Sequence, residues 1–117
     1  VSDREFVYSF NFRVDKTLNA LVVDVVSVDD AKAPPVQPGN VRGEIVDGRY
    51  ILYPHGNKTF VQAEYLADAK GSLPIFIVNM VQRRWPYKTF AALREQVKKD
   101  FVKTWPYYES DLKPDLK

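Results

Sequence analysis

From Glu5 to Val14 the chain alternates strictly. Phe6, Tyr8, Phe10, Phe12 and Val14 fall on one side, and Glu5, Ser9, Asn11 and Arg13 on the other. A period of two with aromatics on one side is the pattern of a half-buried strand. Asp15-Lys16-Thr17 turns the chain into Leu18–Val28, a valine-rich second strand that is apolar on both faces and therefore needs cover on both. Asp29–Asn40 holds three prolines and a glycine and reads as a loop, long for a plain hairpin. Asn40–Val46 and Arg49–Tyr53 read as two strands joined by a hairpin turn at Asp47-Gly48. Pro54–Asn57 is a further turn, and Lys58–Leu66 is the fifth strand. The pattern predicts five antiparallel strands.

Gly71-Ser72 breaks this alternation, and Pro74 suits the first turn of a helix. From Pro74 to about Lys99 the period becomes helical, with Phe76, Met80, Tyr87, Phe90, Leu93, Val97 and Phe101 recurring at three- and four-residue steps or their sums. Pro86 lies inside this span. It removes one backbone hydrogen bond and crowds the preceding turn, so a kink or a split is expected there. The tail from Lys103 carries two prolines and mixed charge and is expected to be loosely ordered. A sheet that delivers the chain onto one long helix is an α+β arrangement that can trap an apolar chamber between the two.

Composition narrows the function. The 117 residues suffice for one core, and 45% apolar with 14% aromatic content marks a globular chain. The longest uncharged apolar run, Leu73–Val81, is too short to cross a bilayer. Val1 is an unusual native start, which points to an upstream segment. The absence of cysteine excludes disulfides, thiolate chemistry and cysteine-based zinc sites, and it fits a cytoplasmic or a periplasmic setting equally. A net charge of +2 with both signs interspersed gives no field that would recruit nucleic acid.

Reactive chemistry is sparse. His55 is the single histidine and sits in a Pro-His-Gly-Asn turn, where a solvated turn residue is favoured over a base or ligand. Asp29-Asp30 reads as a turn former before a metal pair. Arg83-Arg84 and Lys98-Lys99 read as the wet face of a helix before phosphate contacts. Asn57-Lys58-Thr59 matches the glycosylation sequon, a pattern too short to use alone. No catalytic, metal or cofactor site is assigned. Asp24, set among Val22, Val23, Val25 and Val26, is the odd residue: either a polar anchor for a ligand head group or a satisfied structural pair, with Arg42 as a candidate partner. The aromatic row Phe6, Tyr8, Phe10, Phe12 is either ordinary core or the lining of a ligand chamber.

Four blocks, in order and spacing, carry a resemblance. They are V-S-D-R-E-F-V-Y, the Pro-rich loop ending G-N-V-R-G-E, Y-I-L-Y-P, and A-D-A-K-G-S-L-P-I-F-I-V-N. Together they resemble the steroidogenic-acute-regulatory-related lipid transfer (START) domain from Val1 to about Val97. The resemblance implies a helix-grip fold, in which a curved antiparallel sheet wraps a long C-terminal helix around a tunnel for one lipid. It also implies that the loop Asp29–Asn40 and the terminal helix form the lid through which lipid enters. Two departures stand out. The family domain is close to twice this length, so residues 1–102 match its C-terminal part and residues 103–117 form a tail. Cholesterol-binding members carry an arginine where this chain has Phe10, which argues against sterol recognition by that group.

The expectation is therefore a lipid-binding or lipid-transfer module of bacterial type, without catalytic activity, that sequesters one hydrophobic ligand and admits transient membrane contact. Tyr8, Phe10, Phe12, Val22, Asp24 and Arg42 are its candidate ligand contacts from the first part of the chain. Ile45, Tyr50 and Leu52 follow from the middle, and Phe76, Met80 and Phe90 from the helix, the last three expected to face the sheet. The alternative is an enzyme of the polyketide cyclase and aromatase kind, which shares this architecture; such an enzyme needs several ionisable groups converging on the cavity. An open first strand and a large apolar face further predict a homodimer, or a chain completed by a missing N-terminal half.

Overall fold

The computed structural model describes residues 2–117. It is an α+β chain with a four-stranded antiparallel sheet and one long helix. It divides into two compact units. One runs through Gly71 and takes in Tyr107–Lys117, and the other is Ser72–Pro106. The first unit holds β1 (Arg4–Glu5), β2 (Tyr8–Asp15), β3 (Ala20–Ser27), β4 (Val41–Arg42), β5 (Glu44–His55) and β6 (Lys58–Asp68). The sheet has the order β2-β3-β5-β6, every neighbour antiparallel.

β3 is central and apolar on both faces, as its valine run requires. Ala20, Val22 and Ile51 are buried with Tyr53 on one face; Val23, Val25 and Ile45 are buried on the other, packed by Phe12, Tyr50, Leu52 and Tyr65. The β2–β3 connection spans four residues, Lys16–Asn19. Asn19 takes the left-handed conformation (φ 52°), and the Leu18 N–H donates to Asp15 Oδ1 at 3.0 Å. The β5–β6 hairpin closes between His55 and Lys58 over Gly56-Asn57. Gly56 has φ 61° at the first central position, as a type II′ turn needs.

Three strand expectations are corrected. The alternating run from Glu5 to Val14 is two strands: β1 ends at Glu5, and β2 begins at Tyr8. The break arises because β1 pairs in parallel with β4, where the Val41 and Gly43 N–H groups donate to Asp3 and Glu5 carbonyls and the Phe6 ring lies against Gly43. An exclusively antiparallel chain is thus not found, although the parallel pair is only two residues long. Asp47-Gly48 is not a hairpin either. β5 runs straight through it, and the irregularity there is a bulge between Ile45 and Asp47, so the sheet has four strands and not five. Space at Gly48 is tight: a Cβ on it would lie 3.1 Å from Tyr65 ring carbons and 3.1 Å from the Val25 carbonyl oxygen.

The tail is ordered. Tyr108–Leu112 forms a π-helical turn and Lys113–Asp115 a 3₁₀ turn, with Leu112 buried. The Lys117 N–H donates to Asn19 Oδ1 at 2.7 Å, and Lys16 Nζ lies 3.6 Å from Asp115, which ties the tail to the β2–β3 turn. Residues Tyr107–Lys117 belong to the same compact unit as the sheet.

The second unit is built on α1 (Ile75–Gln96), shorter than the Pro74–Lys99 span expected from the period. Pro74 stands at its N-cap, one position before the first turn. The helix is unbroken at Pro86, so of the kink or split expected there the split does not occur. No residue of α1 is buried: Phe76 is 71% exposed, Met80 43% and Tyr87 78%. It is not apolar enough to cross a membrane.

Candidate aromatic face

Register decides which side chains meet. β2 pairs with β3 as Tyr8↔Ser27, Phe10↔Val25, Phe12↔Val23 and Val14↔Leu21. β3 continues into β5 as Val23↔Tyr50 and Leu21↔Leu52, and β5 into β6 as Gly48↔Tyr65, Tyr50↔Ala63 and Leu52↔Val61. Directly opposed residues share a face. One face of the sheet therefore collects the even positions of β2, the odd positions of β3, the even positions of β5 from Gly48 onward, and the odd positions of β6. The bulge brings Ile45 onto the same face opposite Ala67. No Asp, Glu, Lys, Arg or His stands at any of these positions.

The face is graded from floor to rim. Val23, Val25 and Ile45 form its buried floor. The rim, on the outermost strand, is open: Tyr8 is 44% exposed and Phe10 53%. Tyr8 meets Phe10 edge-on with centroids 5.2 Å apart, and Phe10 meets Phe12 at 6.1 Å. Tyr50 and Tyr65 meet in a T-shape at 5.6 Å. Burial first, then a hydrogen bond with the Tyr50 hydroxyl and the neighbouring Tyr50 and Tyr8 phenols, push the Tyr65 hydroxyl above its ordinary 10.0. Tyr65 stays neutral through the physiological range and, with Tyr8, Tyr50, Ser27 and Thr59, adds a hydroxyl to an uncharged face.

The opposite face carries the charges. Arg13 Nε donates to Asp24 Oδ2 at 2.8 Å, and Arg49 Nε lies 3.8 Å from Asp24 Oδ1. Arg49 also reaches Asp47 at 3.0 Å and Glu64 at 3.1 Å. The hydrogen bond to Asp24 and that carboxylate's field raise the Arg13 pKa above its ordinary value.

Tyr8, Phe10, Phe12, Ile45, Tyr50 and Leu52 are thus brought together as expected. Val22 and Asp24 are not. Both occupy even positions of β3 and belong to the other face, Val22 with the Ile51 cluster and Asp24 in the ion network. Asp24 is the satisfied structural pair, with Arg13 and Arg49 as partners instead of Arg42. Arg42 pairs outside the four-stranded sheet, in β4, and its Nη2 donates to the Pro34 carbonyl at 3.0 Å. Phe76, Met80 and Phe90 lie on α1, in the second unit. Tyr65 was missed by the sequence reading. The signal was available, because alternation within Lys58–Leu66 offers Tyr65 the same side as Val61 and Ala63. Among the described residues, no group of three or more His, Asp and Glu side chains is placed to hold a metal ion. No family model, no curated protein and no solved structure matches this chain.

Proposed function

We propose that the aromatic face binds one hydrophobic small molecule, a lipid acyl chain or ring system, and holds it without transforming it. A single observation carries the reading: across all four strands this face bears no charged residue, yet its Tyr8–Phe10 rim stays about half open. A ligand that covers on the order of 200 Å² of that rim gains about 5 kcal/mol. The Tyr50–Tyr65 hydroxyls supply the few polar contacts that orient such a ligand. The helix-grip, START-like resemblance agrees with this reading.

Binding is favoured over the cyclase alternative because Asp24, Arg13, Arg49, Asp47 and Glu64 all gather on the reverse face. The ionisable side chains on the aromatic face are phenols. The test is uptake of a fluorescent fatty acyl probe by the wild-type chain and by Phe10→Arg. Phe10 is more than half exposed, so the variant is expected to fold; the guanidinium set on the rim is expected to weaken uptake about tenfold or more. Unchanged uptake by a folded Phe10→Arg protein would show that this face is plain core surface.

A further inference from the structure

β2 is the outermost strand of the sheet, and its ladder determines what points outward. The Val28 N–H donates to the Val7 carbonyl at 3.1 Å, in the register that sets Tyr8 opposite Ser27. Bonded and non-bonded pairs alternate along an antiparallel ladder. The odd residues of β2 therefore direct their backbone groups at β3, and Tyr8, Phe10, Phe12 and Val14 direct theirs away from the sheet. The residues that form the aromatic rim are the same ones whose amides and carbonyls face outward.

This edge lacks the features that usually discourage strand pairing. Tyr8–Val14 contains no proline and no lysine, its ladder with β3 is regular, and its one charge, Arg13, is paired with Asp24. It is also complementary to itself. Under a two-fold axis through Asn11, Tyr8 faces Val14 of the second copy and Phe10 faces Phe12. On the reverse face, Ser9 meets Arg13 and Asn11 meets Asn11. Within Tyr8–Val14 every apolar residue then opposes an apolar one, and no like charges meet. Among the antiparallel registers, only this one pairs the four outward-facing residues entirely with one another. A register centred on Phe12 would set Tyr8 against Lys16, and one centred on Phe10 would set Val14 against Phe6.

We infer that β2 is a self-pairing edge: two copies of this chain join β2 to β2 antiparallel about Asn11. The result is one eight-stranded sheet whose aromatic faces are continuous, with two hydrogen bonds for each facing outward pair. The inference rests on the ladder and not on the ligand reading, so either can fail alone.

The chain has no cysteine, which makes the test clean. Across the axis Asn11 forms a non-bonded pair, with Cα atoms about 4.5 Å apart, inside disulfide range. Asn11→Cys is expected to oxidise to a covalent dimer far faster than Asn57→Cys at the β5–β6 hairpin tip. The wild-type chain is expected to sediment as a dimer. Phe10→Pro, which removes an outward N–H without touching the ladder to β3, should raise the dimer dissociation constant about ten- to a hundred-fold, one bond being lost on each side of the axis. A wild-type monomer across a concentration series would overturn the proposal and leave the edge to another strand. So would Asn11→Cys that cross-links no faster than Asn57→Cys. If Phe10→Pro fails to fold, those two measurements decide.

Discussion

Replacing Gly48 by alanine separates two accounts of the Asp47-Gly48 step. If the glycine served a tight turn it would need a left-handed backbone, but Gly39, Gly56 and Gly71 are the glycines with positive φ, and Gly48 is not among them. On conformational grounds alone, alanine at Gly48 should stabilise the chain by about 0.5–1 kcal/mol, because it narrows the unfolded ensemble. Space argues the other way. The added Cβ sits 3.1 Å from two Tyr65 ring carbons and 3.1 Å from the Val25 carbonyl oxygen, and Val25, only 1% exposed, lies on the central strand and cannot retreat. Overpacking of this kind costs about 1–3 kcal/mol. The net expectation is a loss of about 1–2 kcal/mol, read as a lower urea midpoint with an unchanged slope. In a Tyr65→Ala background the two ring contacts vanish while the carbonyl contact remains. The penalty should then shrink by about 0.5 kcal/mol or more, the coupling expected of touching residues. Gly48→Ala that is neutral or stabilising would refute the packing account of this glycine, and with it the placement of the Tyr65 ring.

Other perturbations probe the remaining layers. The Tyr65 hydroxyl is held protonated in the folded chain, so its contribution is fully present below pH 10.0 and is lost as pH rises above that value, where the unfolded chain gives up its proton first. Alkaline unfolding should therefore begin above about pH 10, and Tyr65→Phe should flatten that limb of the stability profile. Asp24→Asn should lower stability by less than Gly48→Ala, because its partners are largely exposed, and should leave acyl-probe uptake unchanged; a loss of uptake with the fold intact would return Asp24 to the ligand site. Leu112→Ala removes a side chain that is 5% exposed and should cost about 2 kcal/mol in denaturant unfolding, whereas a loosely attached tail would show no change.

How much of this was legible from the sequence depends on the strand. In β2 the alternation is complete, so its apolar side was plain from Tyr8 to Val14. In β6 the alternation holds only from Val61 to Tyr65, because Phe60 and Leu66 fall on the parity of Lys58, Gln62 and Glu64, and that blurs the side to which Tyr65 belongs. β3 could not be read in the same way. Val22, Val23, Val25 and Val26 make both parities apolar, so the strand's own pattern does not say which side joins the aromatic row. The deciding quantity is the length of the preceding turn. Four residues between Asp15 and Ala20 pair even positions of β2 with odd positions of β3, which sends Val22 and Asp24 to the reverse face. The helix was legible in position and length to within a few residues, because its signals, Gly71-Ser72 and Pro74, are local.

β5 shows a different limit. Its parity changes midway: Ile45 shares a face with Gly48, Tyr50 and Leu52 only because the bulge inserts one residue between them. Without the bulge, Val46 would face the aromatic side, and Ile45 would fall on the reverse face with the charged positions. The Asp-Gly dipeptide that suggests a turn instead marks where an 11-residue partner strand must be followed through an irregularity while a tyrosine ring crosses overhead. A glycine inside a strand admits both readings, and the choice depends on the facing strand. Here the facing residue is Tyr65, one of the few polar groups on an uncharged face. The same contact that disguises the strand as two therefore also seats the Tyr65 hydroxyl on that face.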